Sequence, residues 1–203
     1  MEDSPSVVLD AEERARANVY SLLSRLFVAP ADTDLLRGIA SADESGNDAP
    51  AQDAGEFALA WRDLMKTAGD AQGVAVAEEY HQLFVGTGRS EISLYMGAYT
   101  ARSSVDTMLV GLRGFLTEHG LQRRSGVNEP EDHIAMLFEI MRFLIDGQHT
   151  AVDQQKWFFD RFIWPGGVPL CDAISEHSQA RFFRSVARFT KCFLCVEHDA
   201  FDM

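Results

Sequence analysis

Apolar side chains recur at three- and four-residue spacing in almost every segment of this chain, and they never alternate over a useful length. This spacing is typical of a helix that buries one face, whereas a half-buried strand needs strict alternation. The apolar stripes lie at residues 19–27, 57–65, 76–84, 108–116, 134–145, 157–162 and 182–193. We therefore predict an all-α fold, a single-domain helical bundle of about eight to ten helices that spans residues 1–203.

Local signals place the ends of several of these helices. Asp10 and Glu13 form a capping-box pattern at the start of the first helix, and Pro30 ends that helix. A short helix is predicted from Asp32 to Ile39. Gly86 is placed to close the helix that carries the stripe at 76–84, because glycine adopts the left-handed backbone conformation common after helix ends.

Two segments are predicted to be irregular. Residues 41–55 are rich in Ala, Asp, Ser, Gly and Pro, which predicts a flexible loop. Residues 164–169 hold two prolines that flank two glycines, which predicts a break in the helix and a hinge. Because hinges permit domain swapping, a monomer and a domain-swapped dimer both remain open.

The charge balance restricts the class of partner and the location. The chain has 31 acidic and 18 basic residues, a formal net charge of −13. Nucleic-acid binding is disfavoured, because neutralising phosphates needs a basic patch. No apolar run is long enough to cross a bilayer, and Met1–Asp10 lacks the apolar core of a secretory signal. We predict a cytoplasmic protein that is not integral to a membrane.

The sequence offers no complete metal site. Cys192 and Cys195 form a single Cys-x-x-Cys pair, whereas a zinc site needs about four ligands. Glu78 and His81 form one Glu-x-x-His motif, whereas a di-metal carboxylate site needs two. We therefore predict no bound metal or cofactor, and we interpret the paired cysteines as ordinary buried or half-buried thiols.

A segment Asn-Glu-Pro-Glu-Asp-His begins at Asn128. Asn128 is a good N-cap, and Pro130 suits a first helical turn because its missing N–H is not needed there. These signals predict a helix over Glu129–Asp146. They do not explain why His133 stands beside Asp132.

Asp132 and His133 allow three interpretations: a general acid–base pair, a cap with a packing residue, or a ligand-recognition pair. Nothing nearby in the sequence resembles an activated nucleophile, and adjacent helical residues point about 100° apart. We therefore place catalysis last among the three.

An earlier segment carries a row of aromatic and aliphatic residues. Tyr80, Leu83 and Phe84 lie at helical spacing, which is more often typical of a core than of a binding site. Tyr95 and Tyr99 follow an irregular segment, where exposed apolar groups usually need a partner. A groove lined by such groups and rimmed by carboxylates suits an amphipathic peptide with basic flanks.

Taken together, the motif Tyr-x-x-Leu-Phe-x-Gly at residues 80–86, the aromatic-bearing loop and the motif Glu-Pro-x-Asp-His at 129–133 resemble the TorD/DmsD family. Members of this family are cytoplasmic chaperones that mature molybdenum-containing redox enzymes. The family usually has proline in the loop where this chain has Ser93. Its late His-Leu-x-Pro-Trp-like segment is represented here only by Phe162–Gly166.

The resemblance implies a non-enzymatic chaperone that binds the twin-arginine signal peptide and the apo form of a molybdoenzyme catalytic subunit, and assists cofactor insertion before export. The peptide-binding residues are predicted to be Tyr80, Leu83, Phe84, Tyr95, Tyr99, Glu129, Pro130, Asp132 and His133. The alternatives are a helical enzyme that uses Asp132 and His133, and a helical adaptor with no export role.

Overall fold

The structure, a computed structural model, describes residues 9–42, 55–86, 88, 90–100, 102–121, 131–148 and 150–203. Within these residues the α-helices are α1 (Ala11–Val28), α2 (Thr33–Ala40), α3 (Glu56–Asp70), α4 (Gly73–Tyr80), α5 (Arg102–Glu118), α6 (Ile134–Asp146), α7 (Val152–Phe158), α8 (Trp164–Glu176) and α9 (Phe182–Phe201). The only extended pairing among the described residues is an isolated bridge. The predicted all-α fold is confirmed.

Helix α6 forms the centre of the bundle. Eight of its 13 residues are buried, which is typical of a helix covered on most sides. It packs along α1, where the ring centroids of Tyr20 and Phe138 lie 5.9 Å apart. Helix α9 packs against both α3 and α8. Across the described ranges, no helix is both long enough and apolar enough to cross a bilayer.

Several predicted helix ends are confirmed. The capping box of α1 is present, with Glu13 N–H donating to the Asp10 carboxylate over 2.7 Å and Asp10 N–H donating to Glu13 over 3.3 Å. Asp32 caps α2 through the N–H of Leu35. Gly86 ends the helix before it with a φ of +65°. Of the predicted loop at 41–55, residues 43–54 lie outside the described residues, so that prediction stays untested.

The predicted break at residues 164–169 is wrong. Helix α8 begins at Trp164 and continues through Pro169 to Glu176. A π-helical turn at Phe159–Ile163 precedes it, and the N–H of Trp164 donates to the carbonyl of Phe159, five residues back. Pro165 therefore lies in a first helical turn, where its missing N–H is tolerated. The hinge predicted there coincides with regular helix.

The two glycines of α8 serve close packing instead of a turn. A Cβ on Gly166 would lie 2.7 Å from Met96 Sδ, and a Cβ on Gly167 would lie 2.8 Å from Leu194 Cδ1. Both distances are far inside ordinary van der Waals contact, so these positions let α8 approach the loop that carries Met96 and helix α9.

Helices α1 and α9 are joined by a buried charge network. The Arg16 guanidinium donates two hydrogen bonds to Glu197, of 2.7 and 2.9 Å, and the Tyr20 hydroxyl donates to the same carboxylate over 2.8 Å. Only 2% of Glu197 is exposed. Burial raises the pKa of Tyr20, and the neighbouring carboxylate raises it further. The phenol therefore stays protonated and keeps its donor.

Candidate functional site

Directly before α6, Asp132 lies in a turn and His133 has an extended backbone, and this segment pairs with a loop distant in the sequence. The N–H of Met96 donates to the carbonyl of Asp132 over 3.0 Å, and the N–H of Ile134 donates to the carbonyl of Leu94 over 2.9 Å. The predicted helix start at residue 129 is wrong, because this pairing ends only where α6 begins, at Ile134. Residues 128–130, which carry the predicted cap and proline, lie outside the described residues.

His133 is the N-cap of α6 and packs against Tyr95. Its Nδ1 accepts a hydrogen bond of 3.3 Å from the N–H of Ala135. The rings of Tyr95 and His133 meet edge to face with centroids 5.2 Å apart. Only an unprotonated Nδ1 can accept, so this cap requires that the imidazole keep its Nδ1 lone pair free.

Asp132 faces inward and holds the loop that carries Tyr95. Its carboxylate Oδ2 accepts a hydrogen bond of 2.9 Å from the N–H of Gly97. Only 5% of the residue is exposed. The side chains of Asp132 and His133 therefore bond to different backbone amides, an arrangement that serves structure and not general acid–base chemistry.

Tyr99 and Ser93 close the same loop. The Tyr99 hydroxyl donates to the carbonyl of Ser93 over 2.8 Å, and the N–H of Tyr95 donates to the Ser93 hydroxyl over 3.2 Å. Ser93 stands where the resembled family usually has proline, and here its hydroxyl shapes the loop. Burial raises the pKa of Tyr99 to about 12.

Alkaline pH is expected to loosen this loop and lower the melting temperature. An unfolded tyrosine ionises near pH 10, whereas in the folded chain the pKa of Tyr99 is raised to about 12. The contribution of Tyr99 to stability is therefore complete below its pKa in the unfolded state. It is lost as the pH rises through its pKa in the folded state. Thermal melts of wild type and Tyr99→Phe across this interval check it: the variant should lose less stability, and equal losses would contradict the assignment.

A groove lies where the ends of α1 and α4, the Tyr95 loop and the start of α6 meet. Its volume is about 440 Å³, which falls in the range of pockets that hold small ligands or side chains. We call it the Tyr95 groove. The described residues that line it are Val28, Tyr80, Phe84, Val85, Ser90, Leu94, Tyr95, His133 and Met136.

The Tyr95 groove has an aromatic base and an exposed apolar rim. The rings of Tyr80 and Phe84 lie 5.2 Å apart and both residues are largely buried. Around them Val28, Val85 and Met136 are 56%, 51% and 38% exposed. Exposed apolar side chains gathered around one concave surface are typical of a site that binds a partner.

In the part that the structure describes, the groove lining contains no Asp, Glu, Lys or Arg. Among the described lining residues there is no carboxylate and no amine. The nearby Glu131 is paired with Arg113 across 3.2 Å. The acidic rim predicted from the sequence is therefore not seen in the described part of the groove.

The structure brings some of the nine predicted site residues together and separates the others. Those that line the Tyr95 groove are Tyr80, Phe84, Tyr95 and His133. Leu83 is fully buried in the core. Tyr99 and Asp132 lie beside the groove and hold its loop, and Glu129 and Pro130 lie outside the described residues. That this set binds a peptide stays a prediction.

Sequence reasoning missed the three rim residues. Val85 occupies the last of the three variable positions in the motif Tyr-x-x-Leu-Phe-x-Gly, and Met136 lies in the first turn of α6. Val28 ends α1 shortly before a proline. The sequence does show these apolar residues outside the predicted buried faces of their helices. The same pattern occurs at ordinary helix ends, so it does not identify a binding site.

The cysteines behave as structural thiols. Cys171 is buried, Cys192 and Cys195 are half-buried, and all three are free. Burial raises the pKa of each thiol, which favours the neutral thiol over the nucleophilic thiolate near pH 7. In the described part of the chain, no three His, Cys, Asp or Glu side chains are grouped to hold a metal ion.

One solved structure shares this fold over nearly the whole chain. It is the crystal structure of a protein assigned as a redox enzyme maturation protein from Archaeoglobus fulgidus. The TM-score is 0.56 at 17% sequence identity, and the match covers 95% of this chain and 99% of that one. At this identity the likeness concerns the fold alone.

Sequence comparisons identify the family as well as the fold. The chaperone protein TorD of Shewanella loihica is 25% identical over 98% of both chains. TorD of Shewanella pealeana is 26% identical over 93% of this chain and 90% of its own. A family model described as nitrate reductase delta subunit matches residues 47–165, more than half of the 203 residues. The chain belongs to the nitrate reductase delta subunit family, the family of redox enzyme maturation chaperones that includes TorD.

Proposed function

We propose that this protein is a cytoplasmic chaperone dedicated to the catalytic subunit of a molybdoenzyme. It binds the twin-arginine signal peptide and the apo form of that subunit, and it retains both until cofactor is inserted and export can begin. The observation that carries the proposal is the Tyr95 groove, an apolar concave surface built by both motifs that characterise the sequence. The full-length likeness to TorD chaperones supports the same class of function.

The groove suits the apolar stretch of such a leader. A leader of this kind has an arginine pair followed by a moderately apolar segment, and that segment can bury its side chains against the rim of Val28, Val85 and Met136. Burial of apolar surface contributes roughly 25 cal/mol per Å². A few aliphatic side chains seated here supply a useful affinity without any charged contact.

The arginine pair is attracted by the protein as a whole. The chain carries a formal net charge of −13, and a field of that sign concentrates a cationic peptide near the surface. Because the described groove lining has no carboxylate, this attraction acts at longer range than a direct ion pair. Apolar burial therefore contributes most of the binding free energy, and the charges add a smaller contribution that salt screens.

The rival functions lack comparable support. A helical enzyme would use Asp132 and His133, but their side chains are bonded to the amides of Gly97 and Ala135. A general adaptor would need no groove built by these motifs. The curated relatives are chaperones, which favours a maturation role over either alternative.

Titration with a synthetic leader tests the proposal. The probe is the leader of a molybdoenzyme encoded beside this protein, together with one version in which the arginine pair is replaced by glutamine and one in which the apolar stretch carries serines. We expect the serine version to lose most of the affinity and the glutamine version to lose a smaller part. Raising salt from about 0.05 to 0.5 M should weaken the native leader only moderately. Absence of binding, or equal binding of all three peptides, would sink the proposal.

A further inference from the structure

We propose that Asp132 is a positioning residue for the Tyr95 groove: it fixes the loop that carries Tyr95 and does not contact the ligand. This inference deepens the proposed function and rests on it. Asp132 was predicted from the sequence as a recognition residue, and the geometry assigns it a different role in the same site.

Two consecutive backbone amides of the loop donate hydrogen bonds to Asp132. Its carbonyl accepts from the N–H of Met96 over 3.0 Å, and its Oδ2 accepts from the N–H of Gly97 over 2.9 Å. These amides open the 3-10 turn Met96–Tyr99, which receives no cap from the side chain of Tyr95. The first amides of a helical turn have no partner within the turn, so an acceptor from elsewhere must satisfy them. Asp132 supplies it from the segment before α6.

A side chain at position 97 would be crowded against this carboxylate. A Cβ on Gly97 would lie 3.0 Å from Asp132 Oδ2 and 3.1 Å from Val105 Cγ1. Met96, whose amide also donates to Asp132, is buried against Gly166 of α8, where a Cβ would lie 2.7 Å from its sulfur. The loop is therefore clamped between Asp132 and helix α8. Tyr95, which directly precedes the clamped residues, takes its place in the groove wall from this clamp.

A direct role in recognition fits the geometry poorly. Asp132 does not line the Tyr95 groove, although its neighbour His133 does. It is 5% exposed, and the oxygen that holds Gly97 cannot leave without releasing the loop. A ligand arginine that bound Oδ2 in place of Gly97 would displace a charge-assisted hydrogen bond to a backbone amide, and such bonds are among the stronger ones in proteins.

Three substitutions distinguish positioning of the loop by Asp132 from direct contact of Asp132 with the leader. Asp132→Asn removes the charge but keeps an oxygen that accepts from Gly97. Asp132→Ala removes both. Gly97→Ala leaves every charge in place and disturbs only the fit of the loop. If Asp132 positions the loop, Asp132→Asn should retain the leader affinity that Asp132→Ala loses, and Gly97→Ala should lose affinity as Asp132→Ala does. If Asp132 contacts the leader directly, Asp132→Asn should lose affinity and Gly97→Ala should retain it.

The measurement is leader affinity by calorimetry, with the Gly97 amide followed by NMR in glycine-labelled protein. We expect Asp132→Asn to bind within about threefold of wild type, and Asp132→Ala and Gly97→Ala to bind about tenfold more weakly. The Gly97 amide should stay protected from hydrogen exchange in the Asn variant and lose protection in the Ala variant. Asp132→Asn binding as weakly as Asp132→Ala, or Gly97→Ala binding like wild type, would overturn the inference.

Failure of the proposed function is distinguishable from failure of this inference. If wild-type protein does not bind the leader, the proposed function fails at once. The exchange of the Gly97 amide still decides the structural role, because it depends on Asp132 and not on any ligand. Unchanged protection of that amide in Asp132→Ala would show that the carboxylate does not hold the loop.

Discussion

The variant Met136→Glu is expected to bind the leader at least about tenfold more weakly than wild type, while its melting temperature stays the same or rises slightly. Met136 lies on the rim of the Tyr95 groove and is already 38% exposed, so the fold does not depend on its burial. A bound apolar segment would bury the new carboxylate without a partner, which is costly. Position 136 is in the first turn of α6, where a negative side chain interacts favourably with the helix dipole.

Val196→Glu is the matched control. Val196 is 50% exposed, lies on α9 and does not line the groove. The same change in charge there should leave leader affinity within about twofold of wild type. Equal losses in Val196→Glu and Met136→Glu would mean that net charge, and not the groove, controls binding. Normal binding by Met136→Glu would remove the groove from the ligand site.

The variant Arg16→Met is expected to lower the free energy of unfolding by about 3–5 kcal/mol, the largest stability effect we predict. Arg16 makes two hydrogen bonds to Glu197, whose side chain is 2% exposed. Removing the guanidinium leaves a buried carboxylate whose remaining hydrogen-bond partner, among the described residues, is the Tyr20 hydroxyl. Chemical denaturation of the purified proteins gives this difference in the free energy of unfolding, when both curves are fitted with the same dependence on denaturant concentration.

Arg142→Met is the control for this substitution. Arg142 pairs with Glu139 and Asp146 on α6, and all three side chains are partly exposed. Exposed pairs of this kind contribute about 0–1 kcal/mol. A loss in Arg16→Met no greater than that of Arg142→Met would contradict the buried network. The double variant Arg16→Met with Glu197→Leu should recover much of the loss, because it removes the uncompensated charge.

The helical fold was predictable because its determinants are local. The apolar period sets the buried face of each helix, and caps such as Asp10 and Asp32 act within three residues of their own position. These signals need no knowledge of the rest of the chain. The central helix α6 was recognisable in the same way from its dense apolar pattern.

The errors lie where distant residues override local signals. The helix predicted from residue 129 fails because the backbone at Asp132 pairs with Met96, far away in the chain. The break predicted at Trp164–Pro169 fails because the π turn before it accommodates Pro165. In addition, Gly166 and Gly167 lie where Met96 and Leu194 pack closely against the helix. Composition alone cannot distinguish a glycine that turns the chain from one that lets another element approach.

The candidate site was predictable as a region and not as a set of contacts. The motif that begins at Tyr80 places aromatic residues at helical spacing, but Leu83 and Phe84 point to different sides of one turn. Only the packing shows that Phe84 reaches the groove while Leu83 is enclosed. Likewise the sequence marks Asp132 as unusual, and only the loop it holds explains the burial of a carboxylate.

A pull-down of tagged protein from its native host, with the bound proteins identified by mass, tests the chaperone role most directly. We expect wild type and Val196→Glu to retain the catalytic subunit of one molybdoenzyme, with its twin-arginine leader still attached and its cofactor absent, and Met136→Glu to lose it. Recovery of no such subunit by wild type, or recovery of only mature, cofactor-loaded enzyme without a leader, would contradict the proposed function.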